Sequence, residues 1–114
     1  MQNSWNIKEL KWEAVDFDGT IVFTKEEDNF SLENALPNYD LLRAMRNAQK
    51  AGKRFIIYTS RHWDDFPIIE RWLKRHKVPF KFIICGKILV EHYIDDRGLS
   101  PQDFINEWKD RNLP

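Results

Sequence analysis

Two carboxylates stand two positions apart in Asp16-Phe17-Asp18-Gly19-Thr20, directly after an apolar run at 12–17. In an extended segment, residues two apart project to the same side, so Asp16 and Asp18 are expected to converge, with Gly19 permitting a sharp exit. Two carboxylates on one spot need a cation or a shared proton. A hard cation with oxygen ligands, Mg²⁺ above all, would neutralise both and also hold a phosphate oxygen. The plain alternative is a pair of acids in a strand-end turn. A second acidic pair, Asp95-Asp96, follows a very short apolar run at 93–94, and it would complete an oxygen-rich metal site if that strand lay beside the first. Thr59 closes the run 55–58, where its hydroxyl and backbone N–H could bind a phosphate oxygen. Lys87, just past the run 80–85, offers a compact positive charge to a phosphoryl group.

These groups converge only if the elements beneath them place them at one edge. Short apolar runs alternate with longer amphipathic segments, the pattern of an α/β fold with an open, mainly parallel sheet of about four strands flanked by helices. In such a sheet the ligand crevice lies beyond the carboxyl ends of the strands, where each of the four runs ends in polar residues. Three helices are expected. The first has Asn38 as cap, Leu41, Leu42, Met45 and Ala48 at helical spacing, and Gly52 as its stop. The second starts near Asp64 or Asp65, takes Pro67 in its first turn, presents Phe66, Ile69, Trp72, Leu73 and His76 along one stripe, and ends before Pro79. The third begins at Ser100-Pro101-Gln102-Asp103 and turns Phe104, Ile105 and Trp108 inward. The stretch 21–37 breaks the rhythm and reads as a small hairpin or flap, with a charged turn at 25–29.

At 114 residues the chain has room for one domain, 1–114, with one core. Its 42% apolar and 32% charged residues fit an ordinary globular protein. Eighteen basic and eighteen acidic residues cancel, so no global field draws it to nucleic acid or an anionic surface. The single cysteine, Cys85, excludes an internal disulfide and a cysteine-rich zinc site, and reads as a small buried hydrophobe. With no leader-like start and no apolar window of membrane-spanning length, the expected location is the cytoplasm, with no membrane partner.

The ordered set Asp16-Phe17-Asp18-Gly19-Thr20, Thr59, Lys87 and Asp95-Asp96 resembles the four signatures of the haloacid dehalogenase superfamily of phosphohydrolases, over nearly the whole chain. The Tyr58-Thr59-Ser60-Arg61 and Tyr93-Ile94-Asp95-Asp96-Arg97 contexts further resemble small phage and bacterial members. The resemblance implies a Rossmann-like fold and hydrolysis of a phosphomonoester through an aspartyl-phosphate. In that scheme Asp16 is the nucleophile, Asp18 the acid and base, and Thr59 and Lys87 hold the phosphoryl group, with Gly19, Thr20, Ser60 and Arg61 lining the substrate site. Asp16, the backbone carbonyl of Asp18 and Asp95 would bind Mg²⁺, with Asp96 a further or water-mediated ligand. Because 20–38 holds only a flap and 61–87 only a helix and a strand, the chain looks capless. An open site admits a bulky substrate such as a nucleic-acid end, a phosphoprotein or a lipid phosphate, unless a second subunit closes it, and the leading expectation is a nucleotide or polynucleotide end ahead of a sugar phosphate. The rival class is a non-catalytic module of the same fold that binds a phosphorylated ligand or partner.

Other residues have competing readings. Arg61 and Arg97 follow motif positions and could meet a distal phosphate or base, or form surface ion pairs. Arg71, Lys74, Arg75, His76 and Lys77 form a basic stretch that could follow a polynucleotide backbone, although cations are also favoured at a helix C-terminus, and nucleic acid is the less favoured partner. Trp63, after His62 at the crevice mouth, could stack on a base or pack under the next helix. His76 and His92 lack metal-ligand spacing, and Trp5, Trp12, Trp72 and Trp108 read as packing residues.

Overall fold

A computed structural model describes residues 11–23, 32–88, 90–91 and 98–111. Three strands, β1 (Trp12–Val15), β2 (Arg54–Tyr58) and β3 (Phe82–Ile84), form a parallel sheet in the order β1-β2-β3. Ala14 pairs with Ile56 and Ile56 with Phe82, so β2 is central and the three carboxyl ends lie on one edge. The fourth expected strand, 93–94, lies outside the described residues together with Asp95, Asp96 and Arg97.

The strands alternate as the pleat requires. Phe55 and Ile57 on β2, Thr59 just past its end and Ile83 on β3 are buried, whereas Trp12, Phe82 and Ile84 on the other face are 40–58% exposed. The buried face joins helices α1 (Tyr39–Lys50), α2 (Phe66–Arg75) and α3 (Pro101–Trp108) in one core cluster. Phe104 of α3 sits edge-on to Phe55 with 6.0 Å between centroids, and Trp72 of α2 meets Phe17 edge-on at 5.5 Å.

The helices start where their caps place them. The Asn38 side chain accepts from Leu41 N–H, and α1 ends before Gly52, whose φ of 100° carries the chain out of the helix. Leu41, Leu42, Met45 and Ala48 face the core as their spacing predicts. A 3₁₀ turn at Trp63–Asp65 leads into α2, with Pro67 in its first turn, so α2 begins one to two residues later than the acids suggest. His76 is not part of the stripe's helix but its C-cap, packed on Trp72 at 4.3 Å. Ser100 caps α3 through Asp103 N–H.

After β1 the chain turns sharply. The Phe17 carbonyl accepts from Thr20, Ile21 and Val22 N–H, and Gly19 takes a φ of 75°. The base of the expected hairpin forms an antiparallel bridge between Val22 and Pro37, with Phe23 N–H on Leu36 O and Asn38 N–H on Ile21 O. Ile21 and Val22 are fully buried, so this base belongs to the core rather than lying over it. The charged turn 25–29 lies outside the described residues. No helix among the described residues is long and apolar enough to cross a membrane.

Candidate active site

The three strand ends bring Asp16, Thr59 and Lys87 together. Lys87 is carried by a loop fixed to the one after β2: Gly86 N–H donates to Arg61 O, and Lys87 N–H to Thr59 O. Gly86 makes that turn at a φ of 82°. The ammonium then lies 3.6 Å from Asp16 Oδ1 and 5.3 Å from the centre of the Tyr58 ring. The other Asp16 oxygen accepts from the Thr20 hydroxyl at 3.1 Å. The Asp16 carboxylate is thereby oriented by a hydroxyl on one oxygen and faced by a positive charge on the other.

Asp18 has a partner that its spacing from Asp16 does not indicate. Its two oxygens accept from Arg61 Nε at 2.8 Å and Nη2 at 2.9 Å, a two-pronged ion pair whose side chains are 16% and 11% exposed. β1 ends at Val15, and Asp18 is carried by the turn built on the Phe17 carbonyl. Arg61, expected as a substrate contact, lies over the Phe17 ring at 5.8 Å and first of all holds Asp18.

Thr59 is the one buried polar residue among the described side chains, at 1% exposure. Its backbone N–H is used in the sheet, donating to Ile84 O at 2.9 Å, so the phosphate role expected of that N–H is corrected. The hydroxyl accepts from Arg61 N–H at 3.1 Å, which leaves its proton as the donor for a ligand. Among the substrate-lining residues read from sequence, Gly19 is exposed at the turn, Thr20 is committed to Asp16, and Ser60 is half-buried beside Thr59. Trp63 stacks on Phe66 at 6.1 Å and is half exposed, the packing reading of that residue.

The donors fit a hard cation as far as they are described. Asp16 offers a partly exposed carboxylate, and among the described residues the Asp18 carbonyl accepts no main-chain bond while the neighbouring Phe17 carbonyl takes three. No group of three His, Cys, Asp or Glu residues that could hold a metal occurs among the described residues, which exclude Asp95 and Asp96. His92 is likewise outside them.

Two roles were not legible from sequence. Asn38 both caps α1 and donates through Nδ2 to Thr20 O at 3.3 Å, joining the helix to the Asp16 turn. Tyr58 and Phe17 lie beneath the two site cations, and only the strand pattern that places them near the edge could have pointed to them. Cys85 is buried, and burial, helped by the Asp65 carboxylate, pushes its thiol pKa up, the state of a packing residue rather than a reactive thiolate.

A crystal structure of a target protein from Vibrio cholerae superposes with a TM-score of 0.69 at 32% identity, covering 90% of each chain. The two chains belong to one family. The relationship fixes the α/β architecture and leaves function to the residues. No family model matches the sequence. No curated protein matches it either.

Proposed function

We propose that the chain is a capless, Mg²⁺-dependent phosphomonoester hydrolase of the haloacid dehalogenase type that works through an aspartyl-phosphate. The observation that carries the reading is the meeting of Asp16 with Lys87, 3.6 Å apart, beside the buried Thr59, from three adjacent strand ends. Asp16 attacks phosphorus, forming an O–P bond as the ester O–P bond breaks, and Asp18 supplies the proton to the departing oxygen. Asp18 then takes a proton from water, which displaces the Asp16 oxygen and releases phosphate. Lys87 and the Thr59 hydroxyl hold the phosphoryl oxygens throughout. Bound at the Asp16 carboxylate and Asp18 carbonyl, with Asp95 and Asp96 as the remaining ligands, Mg²⁺ would supply charge neutralisation for the incoming phosphate.

The Arg61 fork occupies both oxygens of Asp18. The scheme therefore requires that Arg61 release at least one Asp18 oxygen when a phosphate dianion enters and offers it another anion. The same fork favours a second reading, in which the fold binds a phosphorylated ligand without turnover. Hydrolysis of an aryl phosphate decides between them: the enzyme reading expects phosphate release that needs Mg²⁺ and stops on chelation, with Mg²⁺ also raising the melting temperature by binding the native state. Ligand binding with no release at any Mg²⁺ concentration would leave only the module.

A further inference from the structure

Arg61 borders a second space. A cleft of about 580 Å³ is lined by Arg61, which follows the end of β2, by Arg71 and Arg75 of α2, and by Glu33 of the turn at Leu32–Asn34, with the buried Leu32 and Trp72 and the partly exposed Ile68 as its apolar lining. Its volume falls within the roughly 300–1,000 Å³ of small-molecule sites.

The basic stretch that ends α2 divides here by function. Lys74 is turned to Glu70 at 3.7 Å, His76 packs on Trp72, and Lys77 takes a left-handed φ of 57° past the helix end. Arg71 and Arg75, four residues apart, share one face and point into the cleft. Arg75 Nη1 donates to Glu33 O at 3.0 Å, which fixes the guanidinium against the opposite wall. Arg71 makes no hydrogen bond or ion pair among the described residues. Two guanidinium groups at this spacing repel, so their placement on one side of a cavity is a cost that an anion would remove. Planar forks match a phosphate in two-pronged geometry. A polynucleotide track fits less well, because Glu33 stands in the same wall and the chain carries no net charge.

We infer that this cleft binds a second phosphate of a small substrate whose scissile phosphate lies at Asp16, an inference that rests on the phosphohydrolase reading. Arg61, between the two spaces, then senses both ends of the ligand: a phosphate in the cleft draws its guanidinium away from Asp18 and frees the acid.

The test uses α,ω-alkanediol bisphosphates of graded length, each beside the alkanol monophosphate of the same length. Binding is measured by calorimetry on the full-length Asp16→Asn protein, and phosphate release on the parent. One spacer length is expected to exceed its monophosphate by about tenfold in affinity and in kcat/KM, with the advantage falling as salt rises. Arg71→Gln, an exposed helix position, should erase most of that advantage, and Arg43→Gln on α1, which removes a cation elsewhere, should keep it. Bisphosphates that are preferred at no length, or a preference that survives Arg71→Gln, would overturn the proposal. An oligonucleotide without a terminal phosphate that binds equally well and loses equally in Arg71→Gln would replace it with a polynucleotide track. An Arg71-dependent preference in binding without any phosphate release upholds the subsite and removes the hydrolase reading. Release from monophosphates without a bisphosphate preference does the reverse.

Discussion

Asp18 and Arg61 show how far residue types alone carry the argument. The positions of Asp16, Asp18, Thr59 and Lys87 at strand ends were legible, because period-two apolar runs mark strands and polar residues mark where they stop. The partners were not. Which cation meets which carboxylate depends on a turn in which the Phe17 carbonyl gathers three N–H groups, and no spacing rule encodes that. The pairing has measurable consequences. Asp18→Asn should lower kcat/KM by roughly 10²–10⁴-fold on phosphate esters with poor leaving groups and much less on those with good ones, as loss of a proton donor requires. A leaving-group series with equal losses would deny Asp18 that role. Arg61→Ala should destabilise the fold by about 1–3 kcal/mol in denaturant titrations, because it strands a mostly buried carboxylate. An unchanged midpoint would mean that solvent serves Asp18 as well as the guanidinium does.

The elements were the most legible part. Asn38, Gly52, Pro67 and Ser100 mark helix ends for stereochemical reasons that hold without tertiary context, and all three helices lie where those signals place them. Strand limits were less so: β1 stops at Val15 and β3 runs only over Phe82–Ile84, shorter than their apolar runs. Pairing needs a neighbour, and Phe80 and Cys85 are apolar because they join or border the core rather than the ladder. Asn38 couples this scale to the site. Asn38→Ala removes both the cap on Leu41 N–H and the bond to Thr20 O, and should cost about 1–2 kcal/mol in chemical denaturation. Catalysis should fall with it through a looser Thr20, whereas Ser100→Ala, the equivalent cap on α3, should lower stability and spare turnover. Equal effects of both variants on turnover would break the link between α1 and the Asp16 turn.

For the whole molecule, burial sets a pH window. His76 has a pKa below its ordinary 6.5, chiefly from burial and then from the Arg75 charge, and its Nε2 is enclosed with no hydrogen-bond partner among the described residues. The folded state prefers neutral imidazole, so this contribution is complete above 6.5 and is lost as pH falls below it, where the unfolded chain binds the extra proton. Cys85, raised above its ordinary 9.0, acts at the other end: its contribution holds below 9.0 and is lost as pH rises past it. Thermal melts across pH should therefore fall off on both flanks, with His76→Phe flattening the acid one; an acid flank unchanged by that substitution would place its origin in other groups.

The claim on which the rest depends is that Asp16 becomes covalently phosphorylated. The direct measurement is mass spectrometry of protein quenched in acid during steady-state turnover of an aryl phosphate with Mg²⁺. One phosphoryl group on the peptide bearing Asp16 is expected, absent from Asp16→Asn, whose turnover should fall by at least about 10³-fold while its fold persists. An Asp16→Asn protein that hydrolyses the ester at the parent's rate, or a parent that turns over with no phosphate ever found on Asp16, would contradict the account.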